Sequence, residues 1–204
     1  KKRLEEAGYK SGEQIEEDKL EILARLVGLN ITDGHLCYRE NHKSYECSFS
    51  VGEQKDVDEL KYDIKKLGFG IANSRICKNN FKNNIEKRDV VYNTLEVSKF
   101  GAFPCLLNLL GAFCGKKTTQ KRKIPEWIMN GSNRVKREFI NGFISGDGCK
   151  ISINKRLLAE TGDIGQATTP ECLNDTKIYM SDISSLLKEL NIECKSGNYD
   201  KINQ

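Results

Sequence analysis

Two aspartates occupy equivalent points in two similar stretches, Leu26-Val-Gly-Leu-Asn-Ile-Thr-Asp33-Gly34 and Ile140-Asn-Gly-Phe-Ile-Ser-Gly-Asp147-Gly148. Superposed at an offset of 114 residues (147 minus 33), they match Gly28 with Gly142, Leu29 with Phe143 and Gly34 with Gly148. Each reads as the end of an amphipathic helix that delivers one carboxylate at its C-terminus. Glycine inside a helix costs about 1 kcal/mol relative to alanine, and close approach of a second helix is the natural compensation. Two such helices packed together bring Asp33 and Asp147 side by side. Paired carboxylates suit a hard divalent cation such as Mg²⁺, which prefers oxygen ligands. The carbonyls of Thr32 and Gly146 lack partners at the helix ends and could add ligands. A metal shared by two aspartates can activate water and stabilise the leaving oxygen of a phosphodiester. The bland alternative is two capping aspartates without chemistry. One Asp-Gly at a helix end would favour it, and two aligned copies favour the metal site.

The elements around these stretches repeat as well. Asp18 and Glu21 resemble a capping box, and Leu20, Leu23, Val27 and Ile31 form the stripe of a helix that closes near Gly34. Residues 35–39 and 45–51 alternate as a hairpin, with Tyr45, Cys47, Phe49 and Val51 on one face. A helix starts at Asp56 and Glu59, buries Val57, Leu60, Ile64 and Leu67, and ends at Gly68. Strands are expected at about 70–78 and 90–98, joined by the polar stretch 78–84, followed by an apolar helix over 100–114. The basic stretch 115–123 leads to a short helical piece at 124–128. Ser132 or Asn133 then caps the second motif helix, with Val135, Phe139, Ile140 and Phe143 on its apolar side. Beyond Asp147, Ile151 and Ile153 alternate with polar residues. A last helix from about Thr176 carries Tyr179, Ile183, Leu186 and Leu190. Its end echoes Ile64-Lys-Lys-Leu67-Gly68 as Leu187-Lys-Glu-Leu190-Asn191. The unit helix, hairpin, helix, hairpin thus occurs twice. The expected division is a linker or lead-in at 1–17, a first repeat at 18–130 and a second at 131–204, the last C-terminally incomplete.

With 204 residues, 30% charged and 38% hydrophobic, the chain can build a sizeable core, and no apolar run is long enough to span a membrane. A net charge of +4 permits nucleic-acid binding without demanding it. The eight cysteines form no Cys-x-x-Cys pair and only two histidines accompany them, which argues against structural zinc and for reduced thiols in an intracellular compartment. The nucleus or cytoplasm of the host cell fits, and an organelle does too. A two-stranded β-ribbon fits the DNA major groove, where Arg, Lys and Asn read base edges. The candidates are Arg39, Lys43, Arg75, Lys78, Lys150, Asn154, Lys155 and Arg156, with a merely solvated sheet face as the alternative for any one of them. The basic run 116–123 is a candidate for phosphate contact.

With both acidic positions and both closing glycines in place, the chain resembles a LAGLIDADG homing endonuclease of the double-motif kind carried in inteins. The segment Lys121-Arg-Lys-Ile-Pro-Glu-Trp-Ile128 is similar to the intein-borne branch in particular. The resemblance spans about residues 18–199. It implies an α+β fold of two pseudo-symmetric αββαββα halves packed through their motif helices, forming a saddle of antiparallel sheets on double-stranded DNA. It implies Mg²⁺-dependent cleavage of both strands at a long site by a monomer with internal pseudo-two-fold symmetry. Asp33 and Asp147 match the metal-binding catalytic acids. The family's assisting basic residue falls most nearly on Arg122, with Lys121 and Lys123 as neighbours on the opposite face of a strand. Asn30 departs from a usually apolar position. Flanking protein-splicing domains would lie outside residues 1–204. The competing class is a cleavage-inactive binder on the same scaffold, an RNA maturase or a DNA-binding regulator. A duplicated α/β domain with no nucleic-acid role is the weaker third reading.

Overall fold

The period-two stretches pair into one antiparallel sheet whose apolar face is roofed by helices. In the computed structural model the described residues are 2–70, 73–82, 87–97, 101–147, 152–153, 159–160 and 164–194. Strands β1 (Gly34–Arg39), β2 (Ser44–Val51), β3 (Asn73–Lys82) and β4 (Lys87–Val97) lie in the order β1-β2-β4-β3. The register sets Leu36 opposite Cys47 and Phe49 opposite Leu95, and all four are buried. The β3–β4 ribbon is longer than expected, because β3 continues through most of the polar stretch 78–84.

Helices α1 (Lys2–Glu6), α2 (Glu17–Ile31), α3 (Gln54–Lys66) and α4 (Ala102–Leu109) accompany this sheet. The α3 stripe is as the sequence reads: Val57, Leu60, Ile64 and Leu67 are all buried, and Gly68 closes it with φ +87. Its capping box sits one turn earlier than expected, with the Glu53 backbone N–H donating to Asp56 at 3.1 Å. The expected box at Asp18 does not form. Helix α2 starts at Glu17 without a side-chain cap, and Glu21 instead pairs with Arg134 at 3.0 Å. Helix α4 ends sooner than the apolar run because Gly111 takes φ +95. The following segment lies along the free edge of β1, where the Gly115 N–H donates to the Leu36 carbonyl at 2.7 Å. The lead-in docks as well: Tyr9 stacks on Phe69 at 5.4 Å and its hydroxyl donates to the Leu67 carbonyl at 3.0 Å.

Further along the chain, α5 (Glu126–Met129) precedes α6 (Asn133–Asp147), and α7 (Leu173–Glu189) follows the short pair β5 (Ser152–Ile153) and β6 (Ala159–Glu160). Ser132 caps α6, its Oγ accepting the Val135 N–H at 3.4 Å. The α7 residues Tyr179, Ile183 and Leu186 are buried, and Tyr179 meets Phe143 edge-on at 6.1 Å. Burying side chains of this size contributes about 1.5–3 kcal/mol each. None of the described helices is long and apolar enough to cross a membrane.

Candidate active site and nucleic-acid interface

Helices α2 and α6 pack directly on one another, and the matched glycines are where they touch. A Cβ on Gly28 would lie 2.8 Å from the Phe143 amide nitrogen and closer still to the Phe139 carbonyl oxygen. A Cβ on Gly142 would lie 2.8 Å from the Arg25 carbonyl carbon and 2.9 Å from the Leu29 nitrogen. These obstacles are backbone, so no rotamer change relieves them. At the end of the contact Gly146 faces Thr32, and a Cβ there would stand 3.1 Å from the Asp33 nitrogen. The two motif ends therefore meet. Helix α2 buries far more than the single expected stripe, because the sheet takes one side and α6 the other.

Asp33 follows the last helical turn of α2 directly, and its side chain is exposed. Its carbonyl accepts the Ser50 N–H at 3.1 Å, which ties the acid to β2. Gly34 does not act as a left-handed cap. It opens β1, and it is needed because a Cβ would lie 2.9 Å from Asn30 Nδ2 and 3.1 Å from the Asn30 carbonyl oxygen. Asn30 itself is fully buried, and its amide finds no hydrogen-bond partner among the described residues. Asp147 is the last residue of α6 and Gly146 precedes it in that helix; the Asp147 side chain lies outside the description.

The cationic group on the peptides around Asp33 is Lys117, which sequence reasoning had grouped with the phosphate-contacting run. Its Nζ donates to the Thr32 carbonyl at 2.7 Å and to the Gly34 carbonyl at 2.5 Å. Carbonyl oxygens on both sides of Asp33 thus converge on one positive charge. The ammonium thereby takes up the Thr32 carbonyl, the oxygen expected as a metal ligand on this side, and the Asp33 carboxylate is the oxygen donor of this motif whose chemistry suits Mg²⁺. The usable sequence signal was the pair Gly111 and Gly115, both left-handed, which bracket the strap that brings Lys117 back to the first motif.

Arg122, expected as the assisting basic residue, is 6% exposed, and its guanidinium forms a clasp. Its guanidinium donates to Gln166, to the Ala167 carbonyl at 2.5 Å and to the Lys117 carbonyl at 3.5 Å, holding the second half against the strap. Lys121 and Lys123 are exposed, beside Asp175 at 3.9 Å and Glu126 at 2.8 Å respectively.

The ladder sorts the expected DNA contacts by face. His35, Cys37 and Arg39 lie opposite Ser48, Glu46 and Ser44, on the sheet face away from the core. The same parity continues through Ser50 and Thr94 to Arg75. Lys78, three residues beyond Arg75, has the register parity of Ile76 and Leu95. Lys43 is exposed at the hairpin tip in a left-handed conformation. Lys150, Asn154, Lys155 and Arg156 lie outside the described residues.

No family model matches the chain. It is 30% identical over 186 residues to the replication factor C small subunit of Methanocaldococcus jannaschii, covering 87% of this chain and 9% of that protein. It is 31% identical over 182 residues to the tRNA-splicing ligase RtcB of Pyrococcus furiosus, covering 87% and 18%. It is also 28% identical over 186 residues to the DNA-directed RNA polymerase subunit Rpo1N of M. jannaschii, covering 88% and 13%. The chain spans less than a fifth of the length of these curated relatives. Among solved structures, the homing endonuclease I-WcaI bound to its DNA recognition sequence superposes with a TM-score of 0.52 at 13% identity, over 87% of this chain and 76% of that one. The chain therefore has a mixed-helix and antiparallel-sheet fold shared with a homing endonuclease.

Proposed function

We propose that this chain is a site-specific DNA endonuclease that hydrolyses one phosphodiester in each strand of a long duplex site. The observation that carries the reading is the contact of α2 with α6, which joins the two motif ends at Gly146 and Thr32 beside a polar sheet face. Asp33 and Asp147 would hold Mg²⁺, with the Gly146 carbonyl as a further oxygen ligand, while the Thr32 carbonyl is engaged by Lys117. When bound, the metal supplies an activated water and charge neutralisation at the leaving oxygen. Asp33 is oriented for this by its anchored backbone, and Lys117 adds a fixed positive charge at the same peptides. Arg39, Lys43 and Arg75 would contact the duplex.

An endonuclease carried within a protein-splicing element is favoured by the relatives. A region of about 180–190 residues is shared with proteins of three different names, in each of which it is a minor fraction. That is the pattern of an inserted, mobile unit rather than of the host proteins' own activities. The working form is a monomer with internal pseudo-two-fold symmetry, placed wherever the host keeps its DNA.

Incubation with duplex DNA spanning the insertion site, with and without Mg²⁺, tests the reading. Cleavage that disappears in Asp33→Asn and in Asp147→Asn supports it. The second reading is a cleavage-inactive binder, an RNA maturase or a DNA-binding regulator. It is favoured by the fact that Lys117 already neutralises the carbonyls beside Asp33. Tight binding of the nucleic acid without cleavage under any divalent cation would select it.

A further inference from the structure

We infer that Arg39 reads a guanine in the major groove and that Glu46 is the residue that positions it for this. The inference rests on the proposed binding of duplex DNA. Arg39 is the last residue of β1, opposite Ser44, on the polar face of the sheet. Glu46 is two pairs further in, opposite Cys37 and on the same face. The Arg39 Nε donates to Glu46 Oε2 at 2.8 Å. This bond bends the arginine diagonally inward along the face, away from the hairpin tip.

Three consequences of that bond point to a base rather than a phosphate. Nε is consumed, which leaves the two terminal Nη groups as the free fork, and a fork of this kind pairs with guanine O6 and N7. The Arg39 side chain is 56% exposed while Glu46 is 17% exposed, so the carboxylate is covered and the guanidinium is presented. The carboxylate behind the fork repels a phosphate oxygen but does not oppose the neutral acceptors of a base edge. The pair does little for folding, because ion pairs with an exposed partner contribute about 0–1 kcal/mol. Its neighbours along β2 on the same face, Ser44 and Ser48, are small and leave the fork room to reach a groove floor.

The test is selection of a randomised duplex pool by the full-length protein at fixed salt, followed by titration of single-base variants of the enriched site. Arg39→Ala is expected to lose the preference for guanine at one position by about 5- to 150-fold, with other positions unchanged. Glu46→Gln is expected to weaken the same preference without altering the melting temperature or the salt dependence of binding. Arg39→Lys is expected to keep overall affinity and lose the guanine preference. Uniform weakening across sequences, with the salt slope reduced by about 1, would make Arg39 a phosphate contact and overturn the inference. An unchanged sequence profile in Arg39→Ala would overturn it as well, leaving the endonuclease reading intact. A wild-type protein that enriches no sequence overturns both.

Discussion

The ammonium of Lys117 lies 2.7 Å from the carbonyl oxygen of Thr32, the residue immediately before the first motif acid. The lysine comes from a strap 85 residues further along the chain. It therefore couples the connection between the halves to the site itself.

Lys117→Met is expected to leave DNA affinity nearly unchanged and to lower the cleavage rate by about 10²- to 10³-fold, the scale seen when one fixed charge-stabilising donor is removed. Single-turnover cleavage alongside equilibrium binding checks this. A variant that cuts at the wild-type rate would reduce Lys117 to a structural tie.

Gly28→Ala and Gly142→Ala each drive a methyl into the opposing helix backbone, so both are expected to cost at least the 1–3 kcal/mol typical of overpacking. At about 2–4 °C per kcal/mol for a chain of this size, the melting temperature should drop by several degrees. Gly52→Ala is the control, since nothing lies within 4 Å of a Cβ there. Equal melting temperatures for all three variants would refute the role of the helix contact.

Arg25 holds carboxylates from two elements, Asp63 at 2.6 Å and Glu59 at 3.4 Å on α3 and Glu138 at 3.3 Å on α6. Burial pushes the Asp63 carboxyl above its ordinary value despite the guanidinium beside it. As pH falls, Asp63 takes up its proton in the folded protein before it would in the unfolded chain. Its contribution to stability is therefore greatest in acid and declines as pH rises through the window just above the ordinary carboxylate range. Urea unfolding of wild type and Asp63→Asn between pH 6 and 4 should show the wild type gaining relative to the variant on acidification.

Burial raises the Tyr9 phenol to about 12. Stability from this group is full below pH 10 and is lost as pH rises toward 12, because the unfolded chain ionises first. Tyr9→Phe is expected to cost about 0.5–1.5 kcal/mol at neutral pH, the net value of its bond to Leu67, and to flatten the alkaline decline. Denaturant midpoints at pH 8 and pH 11 measure both effects.

What could be read from the sequence follows local periodicity. The α3 stripe, the β2 alternation and the meeting of Gly28 with Gly142 are patterns repeated within a few residues or across two copies, so the chain itself displays them. Lys117 and Arg122 carry no such pattern. In the run 116–123 every basic residue looks alike, and only the turn at Gly115 decides which one folds back on Asp33 and which is buried against Gln166. The starts of α2 and α3 were read two or three residues late for the related reason that several acids near each could serve as caps. The β3–β4 ribbon was read short because the run of polar residues from Lys78 to Lys82 looks like a loop in sequence.

The strap also limits how the molecule can be dissected. Residues after Gly111 seal the open edge of β1 and deliver Lys117 before the second half begins. A half-molecule cut before residue 117 would keep its motif acid but lose the charge that attends it, and would bare a sheet edge to other chains.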